Sequence, residues 1–216
     1  MFKRPLLLIL LILMLFGTVS AKETIKLPMP KTIGPMSLEE ALYHRRSERA
    51  YVPGFLGDVQ ISKLLWATQG ITEPTWQFRT APSAGAAYPL EIYLVKPEGV
   101  YHYIPRTHSL ELHLKGDKRP SLVRSALGQT FIGDAAVSII ITAVFERTRE
   151  KFGLRSDRYV LMEAGHAAQN LLLQAVAMGL GAISVGSFWD DVVIATLDLP
   201  WGEDPLYIIP IGYVKQ

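Results

Sequence analysis

One long helix, predicted over residues 157–178, constrains the fold of this 216-residue chain more than any other segment. Apolar residues cover most of its circumference, and Gly179 supplies a natural C-terminal stop. Its polar residues follow one another at spacings of three and four and form one narrow stripe: Glu163, His166, Asn170 and Gln174. A helix this apolar is buried on most sides. We therefore predict a central helix that also contributes to a subunit interface.

Other segments predict a sheet around this helix. Segment 136–145, AVSIIITAVF, lacks polar alternation and is predicted to be a buried strand. Further strands are predicted over 90–96, 100–104, 110–114 and 206–213. Further helices are predicted over 37–45, 59–70, 119–128 and 191–197, the first beginning with a capping box. The interspersed elements, without a repeat, indicate one α+β domain over residues 37–216.

The first residues predict export. Lys3 and Arg4 precede an apolar run over 6–16, and small residues end at Ala21, which is the order of a secretory signal peptide over residues 1–21. The run is short for a membrane span of about 20 residues, so an uncleaved membrane anchor is the second interpretation. We expect a periplasmic or extracellular protein. Residues 22–36 are polar and contain three prolines, which predicts an extended leader, either an arm or a disordered tail.

Charge and cysteine content exclude several function classes. Removal of residues 1–21 would leave 195 residues and lower the formal net charge from +2 to 0. A neutral chain has no electrostatic basis for binding nucleic acid. The absence of cysteine excludes disulfides, thiol catalysis and a cysteine-linked lipid anchor.

The segment Arg45-Arg-Ser-Glu-Arg49 carries three guanidinium groups within five residues. These groups repel one another unless an anion lies among them, and arginine is well suited to phosphate. A solvated helix C-terminus is the alternative, and the segment alone favours it. A second candidate is the turn Pro82-Ser-Ala-Gly85, whose small residues would let a flat ligand approach the backbone. The Gly179-Leu-Gly181 pair ends a helix and is therefore not a dinucleotide-binding fingerprint.

Taken together, these segments resemble the nitroreductase-like flavoproteins, and within them the SagB-type dehydrogenases, which include the azoline-oxidising branch. The resemblance runs in family order from Ser37 to Tyr213 and includes RTAPSAGAAYPLEIYLV, EAGHAAQNLLLQAVAMGLGAISVG and PLYIIPIGY. It implies an α+β homodimer with a central mixed or antiparallel sheet flanked by helices. It also implies FMN at the dimer interface, and oxidoreductase activity by flavin hydride transfer in a ping-pong cycle.

The resemblance also implies roles for residues. The phosphate and ring edge of FMN would be held by Arg45, Arg46, Ser47 and Arg49. The flavin ring, often that of the partner subunit, would pack against Pro82, Ser83, Ala84 and Gly85. A backbone N–H of Val185 or Gly186 would point at the reactive flavin nitrogen. The substrate would be a small molecule or peptide, and the electron donor is not indicated.

Two positions depart from the family pattern. Azoline oxidases carry a Lys-Tyr pair before the long helix, and this chain has Lys151-Phe152. Phenylalanine has no hydroxyl that could exchange a proton, which argues against azoline oxidation. Lys151 remains as a weak catalytic candidate. Its simpler interpretation is a solvated surface lysine. The late basic clamp of many nitroreductases is reduced to Lys215.

The histidines do not indicate a metal site. Glu163 and His166 could form half of a site on one helix face, but no second such pair exists. Residues His102, His108 and His113 have irregular spacing and are interpreted as surface or edge residues. We predict no metal. A flavin- or ligand-binding envelope protein without catalysis is the alternative function, because unfolded export would deliver an apoprotein to a compartment poor in NAD(P)H.

Overall fold

A computed structural model of the protein describes residues 23–215, so residues 1–22, with the predicted signal peptide, and residue 216 lie outside it. The described helices are α1 (Leu38–His44), α2 (Asp58–Gln69), α3 (Arg119–Ser125), α4 (Phe131–Asp134), α5 (Glu146–Phe152), α6 (Ser156–Ala177) and α7 (Asp190–Leu197). The described strands are β1 (Thr24–Lys26), β2 (Tyr51–Val52), β3 (Ile71–Glu73), β4 (Phe78–Arg79), β5 (Leu90–Lys96), β6 (Gly99–Ile104), β7 (Ser109–Lys115), β8 (Val137–Ala143), β9 (Gly181–Ala182) and β10 (Asp204–Val214). The predicted α+β class is confirmed.

One large sheet organises the molecule. Its strands follow the order β1-β7-β6-β5-β8-β10-β2, with β9 beside β10, while β3 and β4 form a separate hairpin. The named strand pairs of the large sheet are antiparallel. Strand β8 pairs with both β5 and β10, and its seven residues are all buried, as the apolar sequence predicted.

Helices cover both faces of the sheet. Along β5, Ile92 and Leu94 join the core on the side of α2 and α6. The alternate residues Tyr93 and Val95 join a second core on the side of α3 and α7. This alternation is the period of two expected in a strand. The sheet is therefore buried between two helical layers.

Helix α6 lies within one residue of its predicted bounds and forms the centre of the first layer. Its buried residues recur at helical spacing and are mostly small: Ser156, Val160, Glu163, Ala164, Ala167, Ala168, Leu171, Leu172 and Ala175. The opposite side is open in a single chain, where Leu161 is 55% exposed and Met162 is 46% exposed. One chain buries only one face of α6, so burial of the second face at a subunit interface stays a prediction.

Local sequence signals explain where several helices begin and end. The Ser37 hydroxyl accepts a hydrogen bond from the Glu40 N–H at 3.1 Å, and the Ser37 N–H donates to the Glu40 carboxylate at 2.8 Å. The capping box is thus confirmed. The helix predicted over 119–128 instead ends at Ser125, because Leu127 and Gly128 both adopt positive φ angles. Helix α5 was not predicted.

Part of the predicted leader forms an edge strand of the sheet, and His108 is buried beside it. Strand β1 pairs with β7, and the following Leu27 is only 3% exposed. The interpretation of His108 as a surface or edge residue is wrong, because its ring is buried and lies 2.8 Å from both the Ser62 and the Tyr103 hydroxyls. Burial lowers the pKa of His108.

Within residues 23–215, no helix is long and apolar enough to span a membrane.

Candidate functional site

The arginine-rich segment is fixed to the loop that follows α6. Ser47 forms a parallel bridge with Ala182, and the Glu48 N–H donates to the Ala182 carbonyl at 3.1 Å. The Tyr51 hydroxyl lies 2.9 Å from the Glu48 carbonyl and 3.0 Å from the Pro210 carbonyl, so strand β10 supports the same segment. The structure therefore brings residues 45–49 and 181–186 together, although residues 50–180 separate them in sequence.

Gly181 makes this close approach possible. A Cβ atom at this position would lie 2.8 Å from the Glu48 Cβ atom and would overlap the Val214 side chain. Only glycine leaves room for both neighbours. The weak Gly179-Leu-Gly181 pattern thus contains a residue needed for the assembly of the site, in addition to a helix stop.

Within the described residues, the arginines carry positive charge without a counter-ion in ion-pair contact. Among residues 23–215, no carboxylate lies within ion-pair distance of Arg45, Arg46 or Arg49. The Arg46 guanidinium donates to the carbonyls of Tyr43 at 2.9 Å and Arg45 at 2.8 Å, and so caps the end of α1. The Arg49 guanidinium lies 6.0 Å from the centre of the Phe131 ring. Arg45 and Arg49, with the exposed Ser47, are best placed to bind an anion such as phosphate.

The two candidate N–H donors after α6 differ in availability. The Val185 N–H donates to the Ile208 carbonyl at 2.9 Å, and the Ile208 N–H donates to the Val185 carbonyl at 2.9 Å. The Val185 N–H is therefore occupied within the chain. Gly186 is exposed, and its N–H has no acceptor in the described part of the chain. Of the two predicted donors, Gly186 is the one that fits a ligand.

The Pro82–Gly85 turn has a conformation that its sequence does not reveal. Gly85 has a φ of 57°, and positive φ angles recur at Ala86 (51°) and Tyr88 (46°). This region is unfavourable for residues with a Cβ atom, and such strain persists only where surrounding contacts maintain it. The serine of the turn provides one such contact, since the Ser83 hydroxyl accepts from the Tyr88 N–H at 2.9 Å.

Helix α5 holds the turn from outside. Lys151 donates to the Gly85 carbonyl at 2.7 Å, and Arg147 donates to the Tyr88 carbonyl at 3.1 Å. The Phe152 ring lies against Gly85, where a Cβ atom would be 3.0 Å from it. Lys151 is exposed, as its interpretation as a solvated lysine expects, and its ammonium group also donates to the turn. Sequence periodicity gave no signal for this contact, since α5 is short and mostly polar.

The inner side of the turn faces α6. A cavity of about 280 Å³ is lined by Pro82, Ser83, Ala84, Tyr159, Met162, Glu163 and His166. Glu163 is only 3% exposed, and burial raises the pKa of its carboxyl to about 7. In the sequence, Glu163 is one member of a regular polar stripe, and nothing in that pattern indicates its proximity to the turn.

The predicted site residues form two separate groups in one chain. The turn contacts α6 near Met162 and His166, whereas the arginine segment contacts Ala182, which follows the end of that helix. At 1.5 Å per residue, the part of α6 between the turn and the end of the helix is roughly 20 Å long. One chain therefore does not bring the turn and the arginines to the same place.

Comparison with known proteins agrees with this fold. Residues 42–213 match the sequence family described as "Nitroreductase family". The chain belongs to the nitroreductase family. The match spans all of the candidate site residues, from the arginine segment to the loop after α6.

Three relatives illustrate the range of the family. The chain is 42% identical to MJ1384 of Methanocaldococcus jannaschii, provisionally named a nitroreductase, over 88% of this chain and 97% of that protein. A Ralstonia eutropha structure, also provisionally named a nitroreductase, superposes with a TM-score of 0.82 at 31% identity, covering 92% of this chain and 93% of that one. The chain is 30% identical to the Escherichia coli microcin B17-processing protein McbC, over 64% of this chain and 55% of McbC.

Proposed function

We propose that the protein is an exported FMN-dependent oxidoreductase of the nitroreductase family, related to the SagB-type dehydrogenases. The observation that carries the proposal is the arginine segment, whose guanidinium groups have no ion-pair partner in the part of the chain that the structure describes. It adjoins the loop in which the Gly186 N–H has no acceptor among the same residues. Family membership as an oxidoreductase and the relation to McbC support it. When bound, FMN would supply hydride acceptance and electron transfer in a ping-pong cycle.

The residues of the chain would bind and orient this cofactor. Arg45, Ser47 and Arg49 would hold its phosphate, while Arg46 maintains the end of α1. The N–H of Gly186 would donate to the ring. The small residues of the turn 82–85 would let the ring lie close to backbone and would exclude water from it.

We propose that two copies of the chain form the site. The turn of one copy would meet the arginine segment of the other, because a part of α6 roughly 20 Å long lies between the two groups within one chain. The open face of α6, with exposed Leu161 and Met162, offers an apolar surface for such an interface. A homodimer with two interfacial sites satisfies both observations.

The relation to McbC bears on the substrate class. McbC is named as a microcin-processing protein, which favours a small molecule or peptide as substrate here. Azoline oxidation is disfavoured because Phe152 has no hydroxyl and Lys151 is bound to Gly85.

Turnover of reduced FMN protein with a quinone-type acceptor would distinguish an oxidoreductase from the alternative, a flavin- or ligand-binding envelope protein without catalysis.

The double variant Arg45→Ala/Arg49→Ala tests the phosphate assignment. Removal of two charge-assisted contacts is expected to weaken FMN binding at least a hundredfold, measured by quenching of flavin fluorescence. Arg106→Ala/Lys115→Ala removes the same charge from exposed positions of the β6–β7 hairpin and should bind FMN as the wild type does. Undiminished flavin binding in the Arg45/Arg49 variant would refute the assignment.

A further inference from the structure

Glu163 is a carboxyl side chain enclosed where α6 passes the Pro82–Gly85 turn. It is 3% exposed and lines the 280 Å³ cavity together with three residues of the turn. Its carboxyl lines the same cavity as Ser83, whose hydroxyl lowers the carboxyl pKa as a hydrogen-bond donor, and it lies 3.4 Å from the Gln69 amide nitrogen. Buried carboxyl groups are uncommon, and their burial costs free energy. A role for Glu163 beside Ser83 of the turn would explain why one is retained here.

Ser83 connects this carboxyl to the backbone of the turn. The Ser83 oxygen accepts from the Tyr88 N–H at 2.9 Å, so its single proton is free to be donated to Glu163. The chain of hydrogen bonds therefore runs from the carboxylate through the hydroxyl to the backbone. It ends at Tyr88, one of the residues held at a positive φ angle. An ionised acceptor strengthens such a chain, because hydrogen bonds to a charged group are roughly twice as strong as neutral ones.

The ionisation of Glu163 lies in the range where a proton can be gained or lost near neutral pH. Burial raises the pKa of its carboxyl to about 7, while the hydrogen bonds from Ser83 and Gln69 and the charge of Arg79 oppose the rise. The ionisable groups that face it are Arg79 on β4 and Tyr159 and His166 on α6. Glu91 on β5 acts on Arg79 and so reaches Glu163 indirectly.

We propose that Glu163 is a positioning residue that holds the Pro82–Gly85 turn through Ser83, and that its ionisation controls how tightly the turn receives the flavin. The inference rests on the proposed function, in which this turn contacts FMN. The ionised carboxylate favours the strained turn, and the protonated carboxyl relaxes it. FMN affinity is then coupled to the protonation of a side chain on α6.

The test compares wild type with Glu163→Gln, which keeps the shape and an acceptor for Ser83 but cannot ionise. Dissociation constants for FMN are measured by flavin fluorescence quenching from pH 5.5 to 8.5. We expect the wild type to bind about fivefold to tenfold more tightly than the variant at pH 8.5, and equally at pH 5.5. The phosphate of FMN titrates near pH 6 in both proteins, so its effect cancels in the ratio.

Two further variants make the result specific. Glu150→Gln removes the same charge from an exposed position of α5 and should follow the wild type at every pH. Ser83→Ala breaks the connection, so adding Glu163→Gln to it should cause no further loss. A wild-type to Glu163→Gln ratio that stays constant with pH, or an unchanged pH dependence in Ser83→Ala, would overturn the proposal.

A measurement on the apoprotein separates this proposal from the proposed function. At pH 8, the Tyr88 amide should exchange with solvent at least fivefold more slowly in wild type than in Glu163→Gln, because Ser83 holds it more firmly. Equal exchange in two folded proteins would refute the positioning role. A wild type that binds no FMN at any pH would refute the proposed function and the flavin coupling, while Tyr88 exchange would still decide whether Glu163 holds the turn.

Discussion

At the scale of residues, the buried carboxyl group of Glu203 makes a testable contribution to the pH dependence of stability. Glu203 is 4% exposed, accepts a hydrogen bond from the Thr142 hydroxyl and lies 3.3 Å from the Tyr93 hydroxyl. Burial raises the pKa of its carboxyl above the ordinary value. The folded state therefore binds this proton more tightly than the unfolded chain does.

The sign of the resulting pH dependence can be tested with Glu203→Gln. Because the folded-state pKa is raised, the contribution of Glu203 to stability is present below its unfolded pKa of about 4.3 and is lost as the pH rises through the folded value. The variant should raise the free energy of unfolding by about 1 kcal/mol at pH 8 and leave it nearly unchanged at pH 4. Urea unfolding at both pH values measures this, and a variant that is less stable at pH 8 would contradict it.

At the scale of elements, the sequence predicted what depends on local pattern. Ser37 and Glu40 identified the start of α1, and the unbroken apolar run identified β8 as a buried strand. The prediction failed for elements whose position or conformation depends on tertiary contacts. Helix α5 has little apolar periodicity, and its importance comes from Lys151 and Arg147 reaching the neighbouring turn. Glycine at position 85 favours a positive φ, but the positive φ angles of Ala86 and Tyr88 are not visible in residue type.

The candidate site was predictable in part for the same reason. The arginine density and the small residues of the turn are visible in sequence, and the family resemblance gave them roles. Their separation across α6 is visible only in three dimensions, as is the occupied N–H of Val185. Glu163 lay within a regular polar stripe, which concealed that this member alone is enclosed beside Ser83.

At the scale of the whole molecule, each proposed flavin site combines residues from two copies of the chain, so a dimer has two sites. This predicts complementation between two inactive variants, one with Arg45→Ala/Arg49→Ala and one with a disrupted turn, Gly85→Val. A valine at Gly85 is strained at a φ of 57° and would collide with the Phe152 ring. In a mixed dimer, one of the two sites would combine an intact turn with intact arginines, whereas neither homodimer has such a site.

Subunits of the two variants are mixed in equal amounts, exchanged under mild denaturant and returned to buffer. Random pairing should restore about one quarter of the wild-type FMN sites, counted by bound flavin absorbance. The separate variants should each bind almost none. No recovery, in preparations shown to contain mixed dimers, would mean that each site is built within one chain.

The most direct measurement for the central claim is the visible absorption spectrum of residues 22–216 after reconstitution with FMN and gel filtration. The account predicts a flavin band that elutes with the protein at the size of a dimer, near one FMN per chain, and bleaches reversibly with dithionite. A folded protein that elutes without colour would contradict the account, and the flavin roles assigned to Arg45, Arg49, Gly186 and the Pro82–Gly85 turn would be withdrawn.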